Sequence, residues 1–304
     1  WKEDIEYAEK VCKQLDVPLE IVPMQKEYFQ TIVSYTIEQV KAGLTPNPDM
    51  LCNQFVKFGL FFDKIDSSFE KVATGHYAQV KEVDGIYHLL KAPDKIKDQT
   101  YFLALLNQKQ LSRALFPIGH LTKEQVRELA NEYNLPTKAR KDSQGICFLG
   151  KIKFDEFVKY HLGEKKGDIV EFETGQTLGQ HEGFWYYTIG QRQGLGLSGG
   201  PWYVVSKDIE KNIVYISKSY YAPEKKRNQL WVSNINWITC KKPEQKELEV
   251  KLRHGPYIHK CKIAYENDLI FVQLAEDDQG ISPGQFAVFY HKDECLGGGM
   301  ITKK

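Results

Sequence analysis

The sequence predicts an α/β protein in three parts: an N-terminal parallel-sheet domain over residues 1–150, a small β-rich domain over 151–224 and a C-terminal β-barrel over 225–304. Three observations predict this. Helix-period and strand-period segments alternate through the first part, as they do where helices flank a parallel sheet. Sequence dense in Gly and aromatics takes over after the helical run KFDEFVKYHL. Short apolar segments at close spacing then fill the C-terminal part, the pattern of a small barrel.

The elements follow in order. WKEDIEYAEKVCKQLDVP places Ile5, Ala8, Val11, Cys12 and Leu15 on one helical face. LEIVPM reads as a short strand, and EYFQTIVSYTIEQVKAG as a helix closed by Gly43. MLCNQFVKFGLFFDKI is a strongly apolar helix, and KVATGHYAQV a strand with a glycine at its end. KEVDGIYHLLK forms a hairpin across Asp84-Gly85. LTKEQVRELANEYNLP carries capping-box spacing at Thr122 and Gln125 and stops at Pro136. PWYVVSKDIEKNIVYIS is a second hairpin, and PEKKRNQ a charged linker. LWVSNINWI, LEVKLRH, YIHKCKIAY, LIFVQLA and QFAVFY are the barrel strands. Because the chain opens on a helix, the first strand and its loop are expected to precede residue 1.

The chain has 304 residues, 42% hydrophobic and 27% charged, as a soluble globular protein does. No apolar run reaches the roughly 18 residues of a membrane span, and no signal-peptide pattern opens the chain. A net charge of +1 argues against a strongly basic coat while leaving room for a local basic face. The six cysteines, at 12, 52, 147, 240, 261 and 295, form no C-x-x-C pair and are too sparse for a disulfide scaffold. They fit a reducing cytoplasm, with four of the six filling apolar space.

The cysteine in LTPNPDMLCNQF stands out. Pro46 and Pro48 stiffen the turn, and Asp49 lies three positions before Cys52. With Asp49 as N-cap, Cys52 takes the third helical position, where free N–H groups and the helix dipole favour a thiolate. A packing cysteine beside a capping Asp fits the same spacing. Cys147, in RKDSQGICFLG, follows a polar turn with Arg140 and Lys141 upstream. It reads either as a reactive thiol or as a small apolar residue entering a strand. ATGHY puts Gly75 and His76 at a strand's C-terminal end, where open α/β sheets bind ligands; a tight turn with a surface His is the alternative. KDQTYF offers Lys97, Asp98 and Gln99, with Asp98 also serving as a plain N-cap. GQRQGLGLSGG opens no helix, so it is a turn array rather than a dinucleotide site. Arg253 and His254 in LRHGPY, and Gln285 in SPGQF, suit RNA contacts on a barrel or are ordinary loop residues.

Taken together, TPNPDMLCN, ATGHYA, KDQTYFL, LFPIGHLTKEQVRELA, KDSQGICF, GQRQGLGL, PWYVV, SPGQFAVFY and CLGGGMI resemble, in sequence and order along the whole chain, the tRNA-specific 2-thiouridylases. The resemblance implies an adenine-nucleotide alpha-hydrolase-like, ATP-pyrophosphatase-type domain ahead of the central domain and barrel. It implies 2-thiolation of the wobble uridine of tRNA, with ATP and Mg²⁺ activating uracil O2. Cys147 would carry sulfur as a persulfide, and Cys52 would release that sulfur and end as a disulfide with Cys147. Asp49 would be the acid/base, and Asn47, Pro48 and Asp49 the rim of the target-base pocket. Gly75 would contact ATP, and His76, Lys97, Asp98, Gln99, Arg253, His254 and Gln285 would contact tRNA. The implied partners are tRNA and a persulfide donor or sulfur-relay protein, in the cytoplasm, with no membrane and no structural metal.

Two departures from the family pattern stand in the sequence. Its S-G-G-V-D-S-type phosphate loop is absent from these 304 residues: either this segment is expected to precede residue 1, the reading that the coherent strings downstream favour, or the chain does not bind ATP properly. Its aromatic residue at position 254 is His here. Two other readings fit the sequence: a tRNA-binding relative without catalysis, and another ligase of the ATP-pyrophosphatase superfamily.

Overall fold

The computed structural model describes residues 2–140, 153–220, 227–278 and 280–303. Cys147 therefore lies outside the described residues. In the N-terminal part, the helix Lys2–Leu15 leads into an extended stretch. LEIVPM is not a strand: β-branched propensity alone does not make one, and no described strand lies beside it to complete a ladder. The next two expected helices both form, and each has a π-helical stretch inside it. The first runs Gln25–Tyr28, π-helical Phe29–Val33, then Ser34–Lys41. The second runs Pro48–Leu51, π-helical Cys52–Leu60, then Phe61–Lys64.

The parallel sheet is short. Strand β1 (Val72–Ala73) pairs with β4 (Ala114–Leu115), and between them runs the predicted hairpin β2 (Ala78–Val83) and β3 (Ile86–Lys91). Asp84 and Gly85 both take positive φ, 50° and 77°, as a two-residue hairpin turn requires. The helix Lys123–Glu132 has the reciprocal cap read from the sequence, Thr122 and Gln125 each satisfying the other's backbone.

The central part is a four-stranded sheet, β5 (Gly167–Glu171), β6 (Thr177–His181), β7 (Tyr203–Asp208) and β8 (Ile213–Ser217), in the order β6-β5-β8-β7. Its helix, Phe154–Leu162, packs Phe157 and Val158 on Val33 and Val40 of the first domain.

Strands β9 (Gln229–Trp237), β10 (Glu247–Lys251), β11 (His259–Glu266), β12 (Leu269–Leu274), β13 (Phe286–His291) and β14 (Glu294–Thr302) close into a six-stranded barrel, β13 pairing with both β10 and β14. CLGGGMI is the strand that sequence patterning missed. Three consecutive glycines weaken a strand signal, yet a Cβ on Gly297 would sit 2.0 Å from the Asn236 carbonyl oxygen and one on Gly299 2.5 Å from that of Ser233. The glycines are there so that β9 and β14 can approach. Leu230, Val232, Leu248, Val250, Cys261, Ile263, Val272 and Phe289 fill the interior at a period of two.

The barrel and the first domain are not separate bodies. β3 pairs with β14 through Leu89–Cys295 and Leu90–Glu294. Met50, Phe58, Leu89, Tyr101 and Leu103 share one core with Phe286, Val288, Tyr290 and Cys295 on the barrel. Asn236 on β9 donates to the carbonyls of Ala104 and Leu106, both at 3.0 Å. Of the four cysteines expected to fill apolar space, Cys261 and Cys295 do so, whereas Cys12 is half-buried and Cys240 is exposed at a turn with φ 58°. Asn236→Ala is expected to leave two carbonyls between the units without partners and to lower stability by about 2 kcal/mol. Chemical denaturation should show this in one transition; a loss confined to the barrel signal would mean that the units unfold separately.

Candidate functional site

The loop before the second helix is set by proline chemistry. Asn47 is the N-cap residue, with φ −120° and ψ 86°, and Pro48 takes the first helical position, where its missing N–H costs nothing. Asp49 is therefore the second helical residue and not the cap, and Cys52 falls at the fifth position, where the π-helical stretch begins. This corrects the placement expected from spacing: the thiol sits beyond the first turn and is only 3% exposed, packed with Ile32 and Val56.

The loop is pinned from the barrel side. Thr45 N–H donates to the Pro283 carbonyl (3.0 Å), Ser282 Oγ donates to Thr45 Oγ1 (3.0 Å), and Gln285 Nε2 donates to the Thr45 carbonyl (3.1 Å). Gly284, at φ 92°, has no room for a Cβ, which would lie 2.9 Å from Thr45 N. From the other side, Asn47 hydrogen-bonds the Tyr101 hydroxyl, which itself donates to the Phe286 carbonyl at 3.0 Å. Burial pushes the Tyr101 phenol well above its ordinary range, so it stays a neutral donor.

Around Asp49 the charges alternate. His254 lays one face on Phe102, ring centres 4.5 Å apart. Burial of that face holds its imidazole below the usual value, with Lys251 and Lys97 pushing the same way and Asp98 and Asp49 opposing. Arg253 grips Asp278 through both guanidinium nitrogens, at 3.2 and 2.6 Å, and is close enough to Tyr101 to act on its phenol. A cavity of about 560 Å³ opens here, lined by Thr45, Thr188, Gly190, Tyr220, Arg253 and Gln285 among others, so all three parts of the fold meet at it. A neighbouring hollow of about 440 Å³ carries Lys91, Lys95, Lys251 and Lys292.

Comparison with known proteins shows the family of the chain. Residues 1–151 match the tRNA methyl transferase HUP domain, residues 155–218 the tRNA methyl transferase PRC-barrel domain, and residues 227–301 the aminomethyltransferase β-barrel domain. The chain is 48% identical to the tRNA-specific 2-thiouridylase MnmA of Parabacteroides distasonis, over 99% of this chain and 86% of that protein. It is 44% identical to the MnmA of Porphyromonas gingivalis, with the same coverage, and 45% identical to MnmA 1 of Bacteroides thetaiotaomicron, over 99% of this chain and 87% of that protein. The chain belongs to the tRNA-specific 2-thiouridylase family.

In this thiouridylase the site residues expected from sequence fall into two groups. Asn47, Pro48, Asp49, Arg253, His254, Gln285 and Lys97 lie around the pinned loop, with Cys52 just beyond it. Gly75 and His76 lie toward the other end of the second helix, next to Phe58. Gly75 is exposed just past β1, and a Cβ there would touch only Ile118, at 4.0 Å, so its backbone is open to close approach. His76 is not a surface cation: it sits between Phe58 and Phe116, with Nδ1 2.8 Å from Thr74 Oγ1. Burial, with Lys57 adding to it, pushes its imidazole from 6.5 down to about 3. Asp98 is 3% exposed, its carboxylate taking Lys251 Nζ (3.1 Å) and the Thr100 hydroxyl (2.9 Å), so it serves the interior. Gln99 Oε1 accepts from the Tyr77 N–H at 2.9 Å. Gln285 is likewise engaged with the loop. Sequence reasoning missed Thr45, Tyr101, Phe102, Lys251 and Asp278, which act through contacts far apart in the chain. Tyr101 and Phe102 stood inside the quoted KDQTYF, where an aromatic pair reads as core.

The His76 environment predicts a pH effect. The unfolded chain takes a proton at this residue below about 6.5 and the folded one only near 3. Stability should therefore fall as pH drops through that window. His76→Gln is expected to flatten this acid limb in thermal melts between pH 6.5 and pH 4; an unchanged slope would assign the acid sensitivity to other groups.

Proposed function

We propose that the chain catalyses the ATP-dependent 2-thiolation of the wobble uridine of tRNA. The observation that carries this reading is the identity with curated 2-thiouridylases along 99% of the chain. The stretch covered by that comparison, at 48% identity, contains the framed loop Asn47-Pro48-Asp49 with Cys52 behind it. The HUP-domain match supports use of ATP, with Gly75 at the strand end as the residue that lets a nucleotide approach.

The chemistry needs each of these parts. A uracil C2 carbonyl has no leaving group, and ATP with Mg²⁺ supplies one by adenylating O2. The target base must leave the stacked anticodon loop before any enzyme can reach it. Asn47 and Pro48, held rigid by Tyr101 and the barrel turn, form a rim for that base. Asp49 moves a proton at the target uridine. Cys147 carries the incoming sulfur as a persulfide from a sulfur-relay donor. Attack by the Cys52 thiolate on the Cys147 sulfur forms the Cys52–Cys147 disulfide and frees hydrosulfide, so the two electrons that reduce the outer sulfur come from the two thiols. Hydrosulfide then takes the place of the adenylated oxygen. His254, Arg253 and Lys97 face the RNA beside the base, and His76, at the other end of the second helix, meets it as a neutral hydrogen-bonding group, while Asp98, Gln99 and Gln285 hold that surface in place.

The test is 2-thiouridine formation with tRNA, ATP, Mg²⁺ and a persulfide sulfur donor. Cys52→Ser and Cys147→Ser should each abolish product made from persulfide, and Asp49→Asn should lower the rate by roughly 10²–10⁴-fold. Unchanged activity of Cys52→Ser would point to another ligase chemistry. Tight tRNA binding with no thiolation would point to an RNA-binding protein. Peptide mapping after turnover should recover a Cys52–Cys147 disulfide, and tRNA affinity should fall as salt rises.

A further inference from the structure

Nine consecutive residues, Cys52–Leu60, are π-helical, whereas π-turns ordinarily occur singly. Such a stretch needs an outside hold, and the structure shows one. Gln110 Nε2 donates to the carbonyls of both Gln54 (2.6 Å) and Phe58 (3.0 Å). The other end of the same amide is fixed, because Gln110 Oε1 accepts from Asn107 N–H (3.0 Å) while Asn107 Oδ1 accepts from Gln110 N–H (2.9 Å). The amide is thus locked into the capping box of the helix Gln108–Arg113 and has its two N–H groups left for the π-helix. Gly59 is the matching feature within the helix: a Cβ there would lie 3.0 Å from the Gln54 carbonyl oxygen, the i, i+5 approach of the π-turn. Asn53, 2% exposed, adds a third hold by donating to the Phe102 carbonyl at 3.1 Å. Cys52 is the first residue of this stretch, and it packs on Ile32 from the other π-helical segment, Phe29–Val33.

We propose that Gln110 is a positioning residue for Cys52: it holds residues 52–60 in π register and so fixes where the thiol lies, an inference that rests on Cys52 being the working thiol. A return to α spacing tightens each turn and rotates Cys52 off Ile32 and Val56. A displacement of about 1 Å at a reacting group is enough to slow chemistry by roughly 10²-fold.

Two variants reach the register from different sides. Gln110→Glu keeps the oxygen that caps Asn107 and removes both donors; Gly59→Ala presses a methyl onto Gln54. Iodoacetamide labelling of the reduced protein, read peptide by peptide, should show Cys52 reacting faster in both variants, by about tenfold, which is the scale of a typical hydrogen bond's net contribution. Cys261 and Cys295, in the barrel, are the internal controls and should stay slow. Thiolation should show kcat lower by roughly 10–10²-fold with KM for tRNA within about twofold of the parent. Labelling of Cys52 unchanged in both folded variants overturns the proposal, as does faster labelling of all three cysteines together, which would report general loosening. Faster Cys52 labelling with full thiolation would separate the two claims: the register hold would stand and the role of Cys52 in the reaction would fall.

Discussion

A buried ion pair ties this molecule together. Asp98, next to the helix that carries Tyr101, meets Lys251, the last residue of a barrel strand, at 3.1 Å with their side chains only 3% and 6% exposed. Two charges at such depth are tolerable only when the rest of their hydrogen-bonding capacity is met. Here the carboxylate also receives the Thr100 hydroxyl and the amides of Ala92 and Thr100, and Lys251 lies 5.4 Å from the centre of the Tyr290 ring. Removing one partner would strand the other in an apolar core, at a cost of about 3–5 kcal/mol. The pair holds the first domain and the barrel in one register, and the barrel's contacts with the loop at Thr45 presuppose that register.

With the two units locked, the short loop from Thr45 to Asp49 needs little structure of its own. The barrel turn at 282–285 supplies three hydrogen bonds from one side, and Tyr101, anchored on Phe286, supplies another from the opposite side. Loops are ordinarily the mobile parts of a fold. This one is held by rigid elements on both flanks, which is what the placement of a reacting group to a fraction of an ångström demands. The barrel thus has a mechanical role in the site.

What the sequence made legible follows the range of the interactions. The Asp84-Gly85 hairpin and the Thr122–Gln125 cap are decided within a few residues, and both form as read. LEIVPM has strand composition but no described neighbour to pair with. CLGGGMI has the reverse: its composition argues against a strand, but the close approach of β9 requires those glycines. The cap at Asn47 was within reach of local rules, since Pro48 at the first helical position fixes the count and moves Cys52 two places further in than an Asp49 cap would. The interior role of Asp98 and the grip of Gln285 on Thr45 could not be read, because Lys251 and Thr45 are 153 and 240 residues away along the chain.

The role proposed for Cys52 sets it apart from the other described cysteines by its frame, since exposure does not separate them. Cys261 and Cys295 are buried in apolar surroundings that push their thiols up, Cys261 to about 12, and so keep them protonated and inert. Cys240 is exposed but stands at a turn with no frame around it. Cys52 is as buried as Cys261, at 3% against 4%. What sets Cys52 apart is its surroundings in three dimensions: a proline-stiffened turn immediately before it, a carboxylate three residues upstream, and a helix held in an unusual register from outside. The two barrel cysteines, within β11 and near the start of β14, follow no proline-stiffened turn. Under the proposed function, the distinction between the working thiol Cys52 and the two barrel cysteines therefore lies in the backbone that presents the sulfur rather than in its contact with solvent.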